Sequence, residues 1–143
     1  MNKISSKHMI SSESLDSVYN YFSNHPRRVA LDDPNYVENK RLVQDKESIY
    51  TGLVDGLGQR QGHGLKIYSN GDIYEGEWVN DKRTGYGVYN YANGSIYEGR
   101  FENGNRDGKG NYKKVNGEIY NGDWKSNRME GQGTYFFKNG DTY

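Results

Sequence analysis

The sequence contains no cysteine, only two prolines and no long apolar run. The absence of cysteine excludes a disulfide framework and a thiolate zinc site, and it fits a reducing compartment. The first ten residues lack the apolar run of a signal peptide, and no apolar stretch has membrane-spanning length. We therefore expect a soluble, intracellular, cytoplasmic protein.

An excess of charge of one sign is also missing, since Lys and Arg together number 19 and so do Asp and Glu. A formally neutral chain has no global field that would hold nucleic acid, so an anionic surface would need a local patch. Apolar residues make up 32% of the 143 residues, which is low for a fold with a deep core. The 14 tyrosines and 19 glycines instead predict large rings packed over bare backbone.

A repeat of about 23 residues dominates the chain from residue 50 onward. Its tyrosines follow one another at steps of 24, 23, 23 and 23 residues, at Tyr50, Tyr74, Tyr97, Tyr120 and Tyr143. Within a unit, apolar residues recur at every second position, which predicts strands, and each unit closes with Asn-Gly, a hairpin turn signal. Every unit is therefore predicted to be one β-hairpin of an all-β repeat array.

The register follows from parity, because directly paired residues share a face. Trp78 opposite Gly85 would put Tyr74 opposite Tyr89, with residues 80–84 as the turn. A three-residue loop at residues 92–94 would set Tyr89 against Tyr97. Trp78, Phe101 and Trp124 would then lie over Gly85, Gly108 and Gly131. The predicted partner-binding aromatic face comprises Tyr74, Trp78, Tyr89, Tyr97, Phe101, Tyr112, Tyr120, Trp124 and Tyr135, and the opposite face should be solvated.

The segment Tyr74-Glu-Gly-Glu-Trp78, followed by Gly85-Tyr-Gly87 and Asn93-Gly94, resembles the MORN (membrane occupation and recognition nexus) repeat. The resemblance covers residues 50–143 and implies an elongated, single-layer antiparallel meander of hairpins without chemistry of its own. Similar arrays occur in radial-spoke heads and other ciliary assemblies, in cytoskeletal scaffolds, in junctional membrane proteins, and beside lipid-kinase or SET domains. The absence of a kinase, SET or membrane segment favours the structural members.

The chain before the array is predicted to form an arm that contains a short helix. Leu15, Val18, Tyr19 and Phe22 fall at i, i+3, i+4 and i+7, which indicates an amphipathic helix over about residues 12–24. Its apolar stripe could cover the first hairpin of this chain or dock on a partner. The predicted organisation is an arm at 1–49 and an array at 50–143, with units at 50–73, 74–96, 97–119 and 120–142 and a further unit starting at 143.

The leading functional hypothesis is a non-catalytic scaffold that holds other proteins of a multi-subunit assembly, in a ciliary axoneme or the cytoskeleton. Residues 140–143 open a repeat whose partner strand is missing, so either the chain is a piece of a longer array or it self-associates through its sheet edges. In the second case, residues 133–143 should be strand-like and at least partly covered by a second molecule. No catalytic residue, metal site, cofactor or nucleic-acid partner is expected, since no histidines are ligand-spaced and the carboxylates lie on the polar face.

The alternative hypothesis is a peripheral phospholipid-binding module. Arg60, Arg83 and Arg106 each precede a repeat glycine by two residues, and Arg128 lies near the equivalent place. We expect these four arginines along one sheet edge, roughly 10 Å apart, a spacing suited to lipid headgroups or another anionic partner.

Overall fold

The computed structural model describes residues 40–44 and 48–143, and the predicted helix at about 12–24 lies outside them. The described residues form one antiparallel sheet in which nine strands follow each other in chain order. The predicted all-β, single-layer meander is therefore confirmed. The strands are β1 Lys40–Gln44, β2 Ser48–Val54, β3 Arg60–Tyr68, β4 Ile73–Val79, β5 Lys82–Asn90, β6 Ile96–Glu102, β7 Asn105–Lys113, β8 Ile119–Lys125 and β9 Arg128–Phe136.

The sheet begins before the predicted start of the array at residue 50. β1 pairs with β2 from Lys40 opposite Leu53 to Gln44 opposite Ile49. Sequence periodicity did not reveal β1, because it carries neither the glycine nor the tyrosine of the repeat.

From β3 onward, two kinds of turn alternate along the meander. β4 and β5 are joined by Asn80-Asp81 alone, with φ of 49° and 70°, the left-handed conformation of a tight hairpin turn. The prediction of a turn at residues 80–84 is therefore wrong, since β5 already begins at Lys82. The three-residue loop at 92–94 is confirmed: the Tyr91 amide donates to the Ser95 carbonyl over 2.9 Å, and Gly94 has φ of 96°.

The pairing of the strands agrees with the predicted register in its centre and departs from it near the tight turn. Tyr74 lies opposite Tyr89, and Tyr89 lies opposite Tyr97, as predicted. Trp78, however, pairs with Arg83 and not with Gly85. A bulge in β5 sets residues 84–86 against one residue of β4, and Gly85 at its centre has φ of 60°. The bulge recurs in the later repeats, where Phe101 pairs with Arg106 and Trp124 with Met129.

The core is a ladder of rings on one face of the sheet, which we call the aromatic face. Trp78 meets Tyr50 and Tyr74 edge-on, with ring centroids 5.6 Å and 5.0 Å apart. Phe101 meets Tyr74 and Tyr97 edge-on in the same way, with ring centroids 5.1 Å and 5.0 Å apart. Trp124 repeats the arrangement between Tyr97 and Tyr120. Edge-to-face contacts of this kind add to the stabilisation that burial provides.

The tyrosine rings of this ladder lie over glycines in the middle of the neighbouring strands. A Cβ atom on Gly87 would come within 2.7 Å of Cζ of Tyr74, and Gly64, Gly110 and Gly133 stand in the same relation to Tyr50, Tyr97 and Tyr120. The prediction that Trp78, Phe101 and Trp124 lie over Gly85, Gly108 and Gly131 is wrong. A Cβ atom on Gly108 would instead meet Arg100, because the bulge turns this position toward the opposite face, which we call the outer face.

Candidate partner-binding face

Six of the nine predicted face residues belong to the core of the chain itself. Tyr74, Trp78, Tyr97, Phe101, Tyr120 and Trp124 are between 0% and 8% exposed. Their polar atoms also bond internally: the Tyr74 hydroxyl donates to the Glu77 carbonyl over 2.8 Å, and the Trp78 indole donates to the Gly64 carbonyl over 3.1 Å. These side chains support the sheet and offer little surface to a partner.

The half-buried rings beside this core form a second row on the aromatic face. We call this row the tyrosine strip; its members are Tyr68, Tyr89, Tyr91, Tyr112 and Tyr135. Ring centroids lie 5.9 Å apart between Tyr68 and Tyr89, 4.5 Å between Tyr89 and Tyr91, and 6.0 Å between Tyr91 and Tyr112. Three members were predicted from the sequence. Tyr68 and Tyr91 were missed, although they are themselves 23 residues apart and the repeat period could have found them.

The hydroxyl groups of the strip differ in how they are bonded. The Tyr89 hydroxyl donates to the Asp72 carboxylate over 2.7 Å, and the Tyr68 hydroxyl accepts from Nη1 of Arg83 over 2.7 Å. Tyr135 donates to the Glu118 carboxylate over 2.5 Å. Within the described residues, the hydroxyls of Tyr91 and Tyr112 have no hydrogen-bond partner, so both can bond to a bound molecule.

Three tyrosines of the strip, Tyr68, Tyr89 and Tyr91, are held in the neutral form by burial. Burial raises the pKa of Tyr68 and Tyr91 above the ordinary value of 10.0. Burial also raises the pKa of Tyr89, and the hydrogen bond to Asp72 adds to the effect. Protonated phenols combine an apolar ring with a polar tip, the combination that protein interfaces favour.

The arginines predicted to form an anionic-partner edge bind the sheet itself. The guanidinium of Arg60 lies 4.5 Å from the Trp78 ring centroid, and its Nε donates to the Asp81 carboxylate over 2.8 Å. Arg106 repeats this arrangement two repeats further on, 4.7 Å from the Trp124 ring and bonded to the Asn127 carbonyl.

Arg83 and Arg128 complete this set of arginines. Arg83 donates to the Gly104 carbonyl over 2.7 Å and lies 5.2 Å from the Tyr89 ring centroid. Arg128 is exposed. Three of the four guanidiniums thus join each hairpin to the tight turn of the next one, an arrangement that we call the arginine clasp.

Comparison with models of known protein families identifies the family of these hairpins. The model described as the MORN repeat matches residues 57–73, 74–96, 97–119 and 120–142. The chain belongs to the MORN-repeat family. No curated protein matches the chain. MORN repeats indicate a protein-interaction or membrane-binding module, and their all-β fold is typically non-catalytic. None of the residues described in the structure form a helix long and apolar enough to cross a membrane.

Proposed function

We propose that this MORN array is a non-catalytic scaffold that binds other proteins of a multi-subunit assembly through its tyrosine strip. The observation that carries the proposal is the pair Tyr91 and Tyr112. Their half-buried rings lie 6.0 Å apart at nearly right angles, and their hydroxyls have no partner among the described residues. Tyrosines that are already packed lose little side-chain entropy when a partner covers them, so they can contribute strongly to affinity.

The arginine clasp supports this proposal because it holds the strip in shape before a partner arrives. Each clasp spans two repeats, and the turn also returns a backbone bond: the Asp81 amide donates to the Arg60 carbonyl over 3.1 Å. A preorganised surface avoids part of the ordering cost of association.

The same clasp favours a protein partner over a lipid headgroup. The guanidiniums of Arg60, Arg83 and Arg106 are bonded to neighbouring turns and stacked on rings, so they are already partnered within the sheet. We propose a ciliary axoneme or the cytoskeleton as the setting, since scaffolds of both kinds are among those in which similar arrays occur. Direct phospholipid binding remains the alternative that the experiments must separate.

The test is co-purification of the tagged full-length chain from its native cells at about 0.5 M salt, where exposed charge pairs are screened. The strip variant Tyr91→Ser with Tyr112→Ser is compared with an outer-face control, Tyr86→Ser with Phe136→Ser, in which two exposed aromatic residues are changed. We expect the wild type and the control to retain a common set of proteins that the strip variant loses. Retention of the same set by all three chains would overturn the proposal.

A further inference from the structure

A patch on the outer face of the first hairpins is buried although the sheet has a single layer. The residues described in the structure contain one sheet and nothing packed on it. A side chain on the outer face should therefore be open to water. Five neighbouring outer-face residues in β2, β3 and β4 are nevertheless 2–8% exposed; these residues, which we call the outer patch, are Ile49, Thr51, Leu65, Ile67 and Glu75.

The burial of this patch fades along the sheet. Thr51 pairs with Leu65 and Leu65 with Glu75, and the same cross-strand row continues through Val88 to the last strands. Its later members, Glu98, Asn111, Asn121 and Thr134, are exposed. The strands pair in the same register along this row in every repeat, so the sheet itself does not bury the row. A separate element must cover the row over β2–β4.

The residue types change in step with the burial. Leu65 has Asn111 at the same position two repeats later, and Ile67 has Lys113. Leu65 and Ile67 therefore have polar counterparts on the exposed part of the outer face, whereas Ile49 is matched by isoleucine at 73, 96 and 119. Burying Leu65 and Ile67 under a cover stabilises the chain in proportion to the apolar area removed from water.

We propose that the chain's own residues 12–24 lie across the outer patch, with the stripe Leu15, Val18 and Phe22 turned toward Leu65 and Ile67. Fifteen residues, 25–39, separate this segment from β1. They span up to roughly 50 Å when extended. The patch extends from β2 to β4, at most about 15 Å from β1 at the usual strand spacing. The N-terminal segment is therefore long enough to reach the patch, and its apolar stripe supplies the cover that the buried side chains require.

This occupant also fits the proposed function without depending on it. A segment on the outer face covers the apolar side chains at the start of the array and leaves the tyrosine strip on the other face open. The outer patch then needs no partner protein.

The absence of cysteine in the sequence allows a direct accessibility test in the full-length chain. Thr51→Cys and Asn121→Cys place a thiol at two positions of the same outer-face row, one buried and one exposed. We expect maleimide to modify the thiol at position 51 at least about tenfold more slowly than the thiol at position 121, because reaction requires the cover to open. Equal rates would overturn the proposal.

A second pair of variants identifies the cover. Leu15→Asp with Phe22→Asp places two charges on the apolar stripe, whereas the control Ser17→Asp with Asn20→Asp places them on the opposite side of the predicted helix. We expect the first pair to accelerate modification at position 51 at least about tenfold and the control to leave it unchanged. Circular dichroism of the buried Trp and Tyr rings shows that the sheet is still folded. Equal rates of modification at position 51 in the stripe variant and in the control variant would overturn the proposal.

Cross-linking gives an independent readout. A thiol introduced by Val18→Cys should be joined by a short bifunctional maleimide to the thiol at position 51 of the same molecule. The thiol at position 18 should not be joined to position 121, which lies roughly 30 Å from position 51, across six strand spacings. A product that forms only between two molecules would assign the patch to a second copy of the chain and overturn the proposal.

Discussion

Arg106 and Asn127 join neighbouring hairpins through reciprocal hydrogen bonds. Nη2 of Arg106 donates to the Asn127 carbonyl over 3.1 Å, and the Asn127 amide donates to the Arg106 carbonyl over 3.0 Å. Oδ1 of Asn127 also accepts from the Arg106 amide over 2.9 Å. Because the guanidinium rests on the Trp124 ring, the clasp fixes the tight turn relative to the aromatic core.

Removing one clasp should therefore weaken the array. Arg106→Gln loses the bond to the Asn127 carbonyl and the stacking on Trp124, and we expect a loss of about 1–2 kcal/mol in the free energy of unfolding. Arg128→Gln is the control, because Arg128 is exposed and lies one residue before the position that corresponds to Arg106 in the next repeat. Its effect should stay within about 0.5 kcal/mol. Urea unfolding measures both values, and equal losses would show that the clasp contributes nothing.

Asp81 should make the first clasp sensitive to acid. Partial burial raises its pKa, but the hydrogen bonds from the Arg60 amide and guanidinium outweigh this effect and hold the pKa below its ordinary value of 3.8. A depressed carboxylate pKa gives stability that is present above the ordinary pKa and is lost as the pH falls through the folded pKa. The melting temperature should accordingly fall as the pH drops below about 4.

Asp81→Asn should remove part of that acid sensitivity at little cost at neutral pH. Asn127 already fills the equivalent position two repeats later with the same left-handed φ, 69° against 70° for Asp81. Its Oδ1 accepts from the backbone amide of Arg106 as that of Asp81 does from Arg60. Thermal unfolding at several pH values checks this prediction. An unchanged fall in melting temperature on acidification would show that Asp81 is not one of the groups responsible.

The glycines beneath the tyrosine rings should tolerate no side chain. A Cβ atom on Gly110 would come within 2.5 Å of Cε2 of Tyr97, whereas one on Gly56 would meet nothing within 4 Å. We expect Gly110→Ala to cost about 2–3 kcal/mol by overpacking. Gly56→Ala, the control, should change stability by no more than about 0.5 kcal/mol. Similar melting temperatures for the two variants would contradict the packing described for the rings.

The repeat pattern predicts the hairpins and the centre of the register because each depends on local residue types. The loop before β6 requires a positive φ, which Gly94 adopts, and this loop sets Tyr89 against Tyr97. The register predicted from parity is wrong at Trp78, because the prediction assumes uninterrupted strand pairing, whereas β5 carries a bulge at Gly85. The bulge also places Arg83 beside Trp78 and not in a turn.

The candidate site could be predicted less well than the fold. Periodicity identifies which tyrosines share a face, but it does not show that Tyr74 and Tyr97 are covered by their neighbours while Tyr91 is half-exposed. Burial in a one-layer sheet depends on the direction in which each ring leans. The arginines illustrate the same limit, since their spacing in the sequence does not reveal that Arg60 and Arg106 contact Trp78 and Trp124.

The phospholipid alternative makes a separate prediction. Because three of the four arginines are engaged in clasps, we expect no sedimentation of the full-length chain with phosphatidylserine-containing vesicles at about 0.15 M salt. Arg128→Glu is the informative variant, since it reverses an exposed charge without breaking a clasp. Vesicle binding by the wild type that Arg128→Glu abolishes would favour the membrane-binding alternative.

Site-specific photo-crosslinking in native cells tests most directly whether the tyrosine strip is the partner-binding surface. A benzophenone amino acid replaces Tyr91 in the strip or, as a control, Tyr86 on the outer face, which is 51% exposed. The proposed function predicts covalent adducts with the same partner protein from position 91 and none with it from position 86. Adducts with that partner from position 86 alone, or equally from both positions, would contradict it.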